Sequence, residues 1–224
     1  ASFSFTDDQI AFCNSEEEIT YNPTLSGTGA FSGGEYTSEG LNVDPATGAF
    51  SPKAVSPGEY TITYSIPASG GCTEEIAELT ITIFEAVQIT SQPFNTGICS
   101  GETTQFEVSA LGDDLSFQWY RGTEPGTEIP GATSEILAIS PATVEDDGSY
   151  YVVVSGAGPC NAVTSNVVTL NVDENIKIET QPKDQDVCIG TDVTFTVLAT
   201  ATGGDPTYQW LKNGSEMEGR TGST

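Results

Sequence analysis

The sequence predicts an all-β protein made of small sandwich modules in tandem, and three observations carry that expectation. The chain repeats itself: Ile89-Thr-Ser-Gln-Pro93, Cys99-Ser-Gly101, Phe106-Glu-Val108 and Phe117-Gln-Trp119 return as Ile178-Glu-Thr-Gln-Pro182, Cys188-Ile-Gly190, Phe195-Thr-Val197 and Tyr208-Gln-Trp210. Ile178 stands 89 residues after Ile89 and Trp210 stands 91 after Trp119, so the period is one small domain with a short insertion. Strand signals are dense and helix signals nearly missing. Tyr60–Tyr64, Leu79–Ile83, Phe106–Val108, Phe117–Trp119, Tyr151–Val154 and Val167–Val172 are β-branched or aromatic and mostly alternate. Between them, 24 glycines and 12 prolines supply turns. Short strands at this spacing read as a sandwich.

At that period, 224 residues hold two complete modules and the opening half of a third, expected at 1–86, 87–173 and 174–224. The boundaries fall where a closing strand meets the next opening strand, near Phe84-Glu-Ala86 and Asp173-Glu-Asn175. Linkers this short favour an extended rod of modules over a floppy string. The chain opens in strand-like Ser2-Phe-Ser-Phe5, and Glu218–Thr224 carries no closing strands, so a piece of a longer polypeptide is expected. No run approaches about 18 apolar residues, and direct membrane insertion is not expected.

Six basic residues against 32 acidic ones give a formal charge of -26, with no histidine. Such a field opposes binding to nucleic acid and to anionic lipid. Scattered carboxylates read first as a solvated surface. A sharper reading is calcium, which takes clustered oxygen ligands; Glu16-Glu-Glu18, Asp113-Asp114, Glu145-Asp-Asp147 and Asp173-Glu174 are the candidate clusters. None has a known calcium-loop spacing.

The five cysteines, Cys13, Cys72, Cys99, Cys160 and Cys188, include no CxxC pair, and no histidine is present to join them on zinc. Cys72 follows Cys13 by 59 residues and Cys160 follows Cys99 by 61, so one disulfide per complete module is expected, Cys13 with Cys72 and Cys99 with Cys160. Cys188 is the repeat equivalent of Cys99. Two such bridges imply an oxidising compartment.

Catalysis finds little footing. A nucleophile needs an adjacent base and an orienting group, yet the imidazole is absent and the lysines are only Lys53, Lys177, Lys183 and Lys212. The glycine-rich stretches lack the strand-to-helix setting of a phosphate loop. No catalytic, metal or cofactor residue is assigned.

Trp119 in Gln118-Trp119 sits where a sandwich places its buried strand C tryptophan, and Trp210 repeats it. Asp146-Asp-Gly-Ser-Tyr150 has the D-x-G-x-Y spacing of a tyrosine corner. Together these resemble the immunoglobulin superfamily. In that family a strand B cysteine pairs with one two residues after the corner tyrosine; here those positions are Val108 and Val152, and packed valines are expected in its place. Tyr150 should then be structural. Tyr151, on the alternate face, is the candidate for exposed aromatic contact with a glycan or protein. Asn213-Gly-Ser215 is spelled like a glycosylation sequon but reads as a hairpin turn.

The displaced cysteines narrow the resemblance. Ile89-Thr-Ser-Gln-Pro93, Cys99, Trp119, Ile129-Pro-Gly-Ala-Thr133, Tyr150, Cys160 and Val163-Thr-Ser165 resemble the Ig-like repeats of very large Bacteroidetes surface proteins. The first stretch, with Gly40-Leu-Asn-Val-Asp-Pro-Ala-Thr-Gly48, Pro57-Gly-Glu-Tyr60 and Cys72, is similar to another repeat of such chains. The resemblance implies a secreted, cell-surface segment of a gliding-motility adhesin type exported by type IX secretion. It implies surface glycans or proteins, and further repeats of the same chain, as partners. Two other readings stay open: an accessory carbohydrate-binding region of a polysaccharide-degrading enzyme, and a surface filament subunit.

Overall fold

The computed structural model describes residues 2–4, 8–15, 19–26, 33–70, 73–201 and 205–224. It is all-β, and its apolar residues gather into two separate cores, one drawn from residues 12–83 and one from 87–172. Total accessible surface is 14129 Å², whereas a compact monomer of this 23.5 kDa mass would expose roughly 9,800 Å². The chain is therefore an open array.

Around the first core run β1 (Ser2–Ser4), β2 (Ala11–Cys13), β3 (Thr24–Ser26), β4 (Glu35–Ser38), β5 (Gly58–Ile66) and β6 (Glu75–Phe84). The main sheet has the order β2-β6-β5-β4, with β2 parallel to β6 and the long β5–β6 hairpin at its centre. Ile62, Tyr64, Ala77, Ile81 and Ile83 alternate inward along that hairpin onto Phe12, Tyr36 and Phe50. Gly40–Gly48, prominent in the sequence, builds a turn beside this core. The Asp44 carboxylate accepts the backbone N–H of Ala46 and Thr47 and the Thr47 hydroxyl at 2.7–3.0 Å, bonds that lower its pKa. Gly48, at φ +73°, lies so close to Pro23 and the Tyr36 ring that a Cβ has no room.

Around the second core run β7 (Gln88–Ser91), β8 (Thr96–Cys99), β9 (Thr104–Glu107), β10 (Ser109–Leu111), β11 (Ser116–Arg121), β12 (Thr127–Glu128), β13 (Ile136–Ile139), β14 (Gly148–Ser155), β15 (Val163–Thr164) and β16 (Val168–Asp173). One layer is the sheet β12-β11-β14-β16-β8, with β8 parallel to β16; the pairs β7–β10 and β9–β13 make the other. This is the immunoglobulin-like sandwich. The order β8-β16-β14-β11 repeats the first body's β2-β6-β5-β4, parallel pair included.

The residues that suggested the fold hold its centre. Trp119 is fully buried and its indole N–H donates to the Ser134 carbonyl at 2.9 Å. Val108 and Val152 are both fully buried in the same cluster, where the family's inter-sheet disulfide would stand. The Tyr150 hydroxyl donates to the Asp146 carbonyl at 2.7 Å, closing the corner four residues back.

The third segment repeats the opening part of this geometry. β17 (Ile176–Thr180) pairs with β18 (Leu198–Ala201) as β7 does with β10, and a register shift recurs at the matching place. The Trp210 backbone N–H reaches the Arg220 carbonyl, and that of Val197 reaches Ser223, repeating the Trp119–Ala132 and Val108–Glu135 bonds. β19 (Leu211–Lys212) and β20 (Ser215–Glu216) form a hairpin whose turn residues, Asn213 and Gly214, sit at φ +50° and +82°, so Asn-Gly acts here as the turn signal. Trp210 itself is half-buried beside Phe195, rings 6.4 Å apart, and not the enclosed core residue its repeat position implies. In the second body the equivalent Trp119 is enclosed by residues of β13, β14 and β16.

Tyr150 gives a two-part test. Tyr150→Phe removes the hydroxyl bond and should cost about 1 kcal/mol in urea unfolding. Burial first, and then Asp146 and Asp147, raise the Tyr150 pKa above 10.0, with Arg121 opposing. The folded state thus keeps a proton that the unfolded chain releases. This contribution is whole below the ordinary tyrosine value and falls as pH rises above it, so Tyr150→Phe should weaken the alkaline loss of stability. Identical alkaline profiles for the two proteins would remove Tyr150 from that account.

Candidate functional site at the junction of the two bodies

Three residues, Glu85, Ala86 and Val87, separate β6 from β7, and each is tied down. The Glu85 N–H donates to the Asp113 carboxylate at 2.7 Å, and the Ala86 N–H donates to the Asn14 side-chain oxygen at 2.7 Å. Val87 is buried in the second core. Asn14 also reaches back into the first body, donating its amide to the Val55 carbonyl at 3.1 Å and its backbone N–H to the Phe84 carbonyl at 3.0 Å. Asp113 works on the other side, its carbonyl accepting the Ala157 N–H at 2.7 Å. A linker held at every residue keeps little torsional freedom.

Over this linker lies a disulfide joining Cys13, the last residue of β2, to Cys160, in the loop between β14 and β15. It links the two bodies across 147 residues of sequence. Next to it, Gly158 at φ +64° packs directly on the Phe84 ring, leaving no space for a Cβ. Only glycine accepts both the contact and the backbone.

The bridge corrects the expected pairing. Cys13 is not joined to Cys72, nor Cys99 to Cys160; Cys99 is an exposed free thiol, as is Cys188, and Cys72 lies outside the described residues. The reason is topological. Cys99 ends β8 opposite Asp173, the last residue of β16, at the far end of the sandwich, whereas Cys160 sits beside Phe84, where the chain enters it. The eight residues of β14 run between those ends, about 25 Å of strand, and a disulfide tolerates no more than about 7 Å between Cα atoms.

The acidic clusters are used locally. Asp113 holds the linker as above. Asp146 accepts the N–H and hydroxyl of Thr143 at 2.8 and 2.9 Å, and Asp147 accepts the Val172 N–H at 3.1 Å. Among the described residues no three acidic or cysteine side chains converge as a metal site, and Glu16–Glu18 falls outside them. Tyr151 is a further correction: it is 3% exposed, stacks on Tyr120 at 5.1 Å and accepts the Gly126 N–H, so it offers no free face. The open cleft of about 690 Å³ beside β12 is lined by Arg121, Glu128, Leu137, Asp146 and Tyr150. Arg121 there donates to the Glu145 and Asp147 carbonyls, Asp146 caps its own turn, and no nucleophile stands next to a base.

Residues 86–173 match the bacterial Ig-like family described as "Ig-like domain CHU_C associated". Roundabout homolog 1 of Homo sapiens is 30% identical over 148 residues, 63% of this chain and 8% of that protein. Muscle M-line assembly protein unc-89 of Caenorhabditis elegans is 28% identical over 172 residues, 72% of this chain and 2% of that one. The chain thus spans less than a tenth of these relatives' length. Among solved structures, the I-band fragment I67-I69 of titin superposes with a TM-score of 0.56 at 16% identity, over 94% of this chain and 78% of the other. Sidekick-1 immunoglobulin domains 1-5 give 0.51 at 17%, over 96% and 47%. These establish the immunoglobulin-like fold.

The junction predicts how its variants behave. Asp113→Ala, which strips the Glu85 N–H of its side-chain acceptor, should speed hydrogen exchange at Glu85 while leaving protected both Ala157, whose acceptor is the Asp113 backbone carbonyl, and the amides of the Trp119 core. Gly158→Val, forced against Phe84 in an unfavourable backbone region, should cost about 1–3 kcal/mol. Unchanged exchange across residues 84–87 in Asp113→Ala would show that the linker is not held by this carboxylate.

Proposed function

We propose that this chain is a non-catalytic, force-carrying segment of a secreted cell-surface repeat protein, acting as an adhesin or as the stalk that displays one. The observation that carries the reading is the junction disulfide. It adds to the peptide linker a covalent clasp between β2 of one sandwich and the β14–β15 loop of the next. A tension entering through β2 crosses at Cys13–Cys160 and leaves by β16, so the intervening strands are bypassed.

The disulfide suits an oxidising, extracellular setting, and -26 formal charges suit a hydrated surface array. The family match over residues 86–173 supports a bacterial Ig-like repeat. Within that reading fall modules at 1–86, 87–173 and 174–224, the Bacteroidetes origin, type IX secretion and a part in gliding motility. Partners would be surface glycans or proteins met by exposed loops, along with further repeats of the chain. The carbohydrate-binding alternative loses Tyr151, which is covered.

Pulling the chain between its ends should distinguish oxidised from reduced protein. The disulfide shields 147 residues, which at about 3.4 Å each amount to roughly 500 Å of contour. That length should be released only after reduction or in Cys13→Ser. Equal contour lengths in both redox states would exclude a force-bypassing clasp.

A further inference from the structure

The clasp at the first junction has a counterpart in register at the second. Cys13 pairs across β2–β6 with Phe84, the last residue of β6, and the next backbone N–H, of Asn14, donates to the Phe84 carbonyl. Cys99 pairs across β8–β16 with Asp173, the last residue of β16, and the next N–H, of Ser100, donates to the Asp173 carbonyl at 2.7 Å. Both parallel pairs belong to sheets of the same order. Cys99 is therefore Cys13 one module on, presenting an exposed thiol at the end of the sandwich from which β17 departs after two residues. Cys188 repeats the position again: the Thr191 N–H bonds the Cys188 carbonyl as the Glu102 N–H bonds that of Cys99.

The loop cysteines form the second series. Cys160 lies between β14 and β16, and Cys72 occupies the corresponding place in sequence between β5 and β6. In the second body the opening-strand Cys99 and the loop Cys160 sit at opposite ends, so they serve different junctions.

We infer that the cysteines form a ladder in which each opening-strand cysteine bonds the loop cysteine of the module that follows. Cys99 is the upstream half of a second junction disulfide, its partner a loop cysteine of the module that begins with β17. Each bridge forms by thiol–disulfide exchange with a disulfide-bearing oxidant of the extracytoplasmic space. One cysteine thiolate attacks the oxidant's disulfide, the second displaces the mixed disulfide, and the oxidant leaves as a dithiol with the two electrons and two protons. Because Cys99 precedes Cys160, successive loops overlap by 61 residues, which lie inside both closures. Force then passes from clasp to clasp, and no module can be drawn out whole.

The test is disulfide mapping of the full native polypeptide, recovered unreduced with free thiols alkylated at harvest. The expected result is Cys13 linked to Cys160, and Cys99 linked to a cysteine downstream of Cys188. In Cys99→Ser that downstream cysteine should become alkylated while Cys13–Cys160 persists, a change that global misfolding would not confine to one residue. Alkylated Cys99 in the native chain, or Cys99 joined to Cys72, Cys160 or Cys188, would overturn the ladder. The contour-length measurement on Cys13–Cys160 is independent of this outcome, so the force-carrying reading and the ladder can fail separately.

Discussion

Everything distinctive about this chain depends on the confinement of three residues between two sandwiches. A free three-residue linker would leave the bodies a wide cone of relative orientations. Here Glu85 and Ala86 each spend their N–H on a side-chain oxygen of opposite bodies, Asp113 and Asn14, and Val87 is already core. Each bond alone contributes about 1 kcal/mol. The disulfide keeps their loss from becoming separation, because the ends cannot drift far enough for water to compete over long intervals. In the chain-entropy account, closing a loop of 147 residues also removes freedom from the unfolded chain worth about 5 kcal/mol.

The misassigned pairing shows what sequence spacing can carry. When two cysteines recur once per period, the interval within a module is nearly constant whether each bonds its own neighbour or one in the next repeat. The 59- and 61-residue intervals therefore held no information on partner choice. Strand direction did. In the parallel pair β8–β16 the opening-strand cysteine lies at the exit end of the sandwich, while the loop after β14 returns to the entry end. That argument needs only the topology, and it was available once the sequence had been read as an immunoglobulin-like sandwich.

Other features were legible because their causes are local or periodic. Trp119, the Asp146–Tyr150 corner and the Asn213-Gly214 hairpin each follow from a few adjacent residues, and Val108 and Val152 follow from alternation on strands facing one core. Alternation failed at Tyr151 for a physical reason. β14 is interior to its sheet, and its outer face is roofed by Tyr120 and by the turn at Gly126, so Tyr150, Tyr151 and Val152 are consecutively buried. Period-two patterning separates inside from outside only where one face meets water. The acidic clusters show another limit of reading by type, since Asp113, Asp146 and Asp147 face backbone N–H groups, and carboxylates that close turns are written in sequence like carboxylates that collect cations.

What the repeat conserves and what it varies points to how such an array is tuned. The backbone bond that seats the cysteine is the same at both junctions, from Asn14 to Phe84 and from Ser100 to Asp173, while the side chains around it change in kind. At the first junction an aromatic ring packs on Gly158; at the second, the equivalent residue is a carboxylate. Packing against a ring resists bending through close contact, a restraint that a hydrated carboxylate does not supply. Position and covalency are thus set by strand register, and stiffness by the one side chain at the end of the last strand. Under the proposed ladder, the side chain that ends the last strand would set the stiffness of a joint while the fold stays the same.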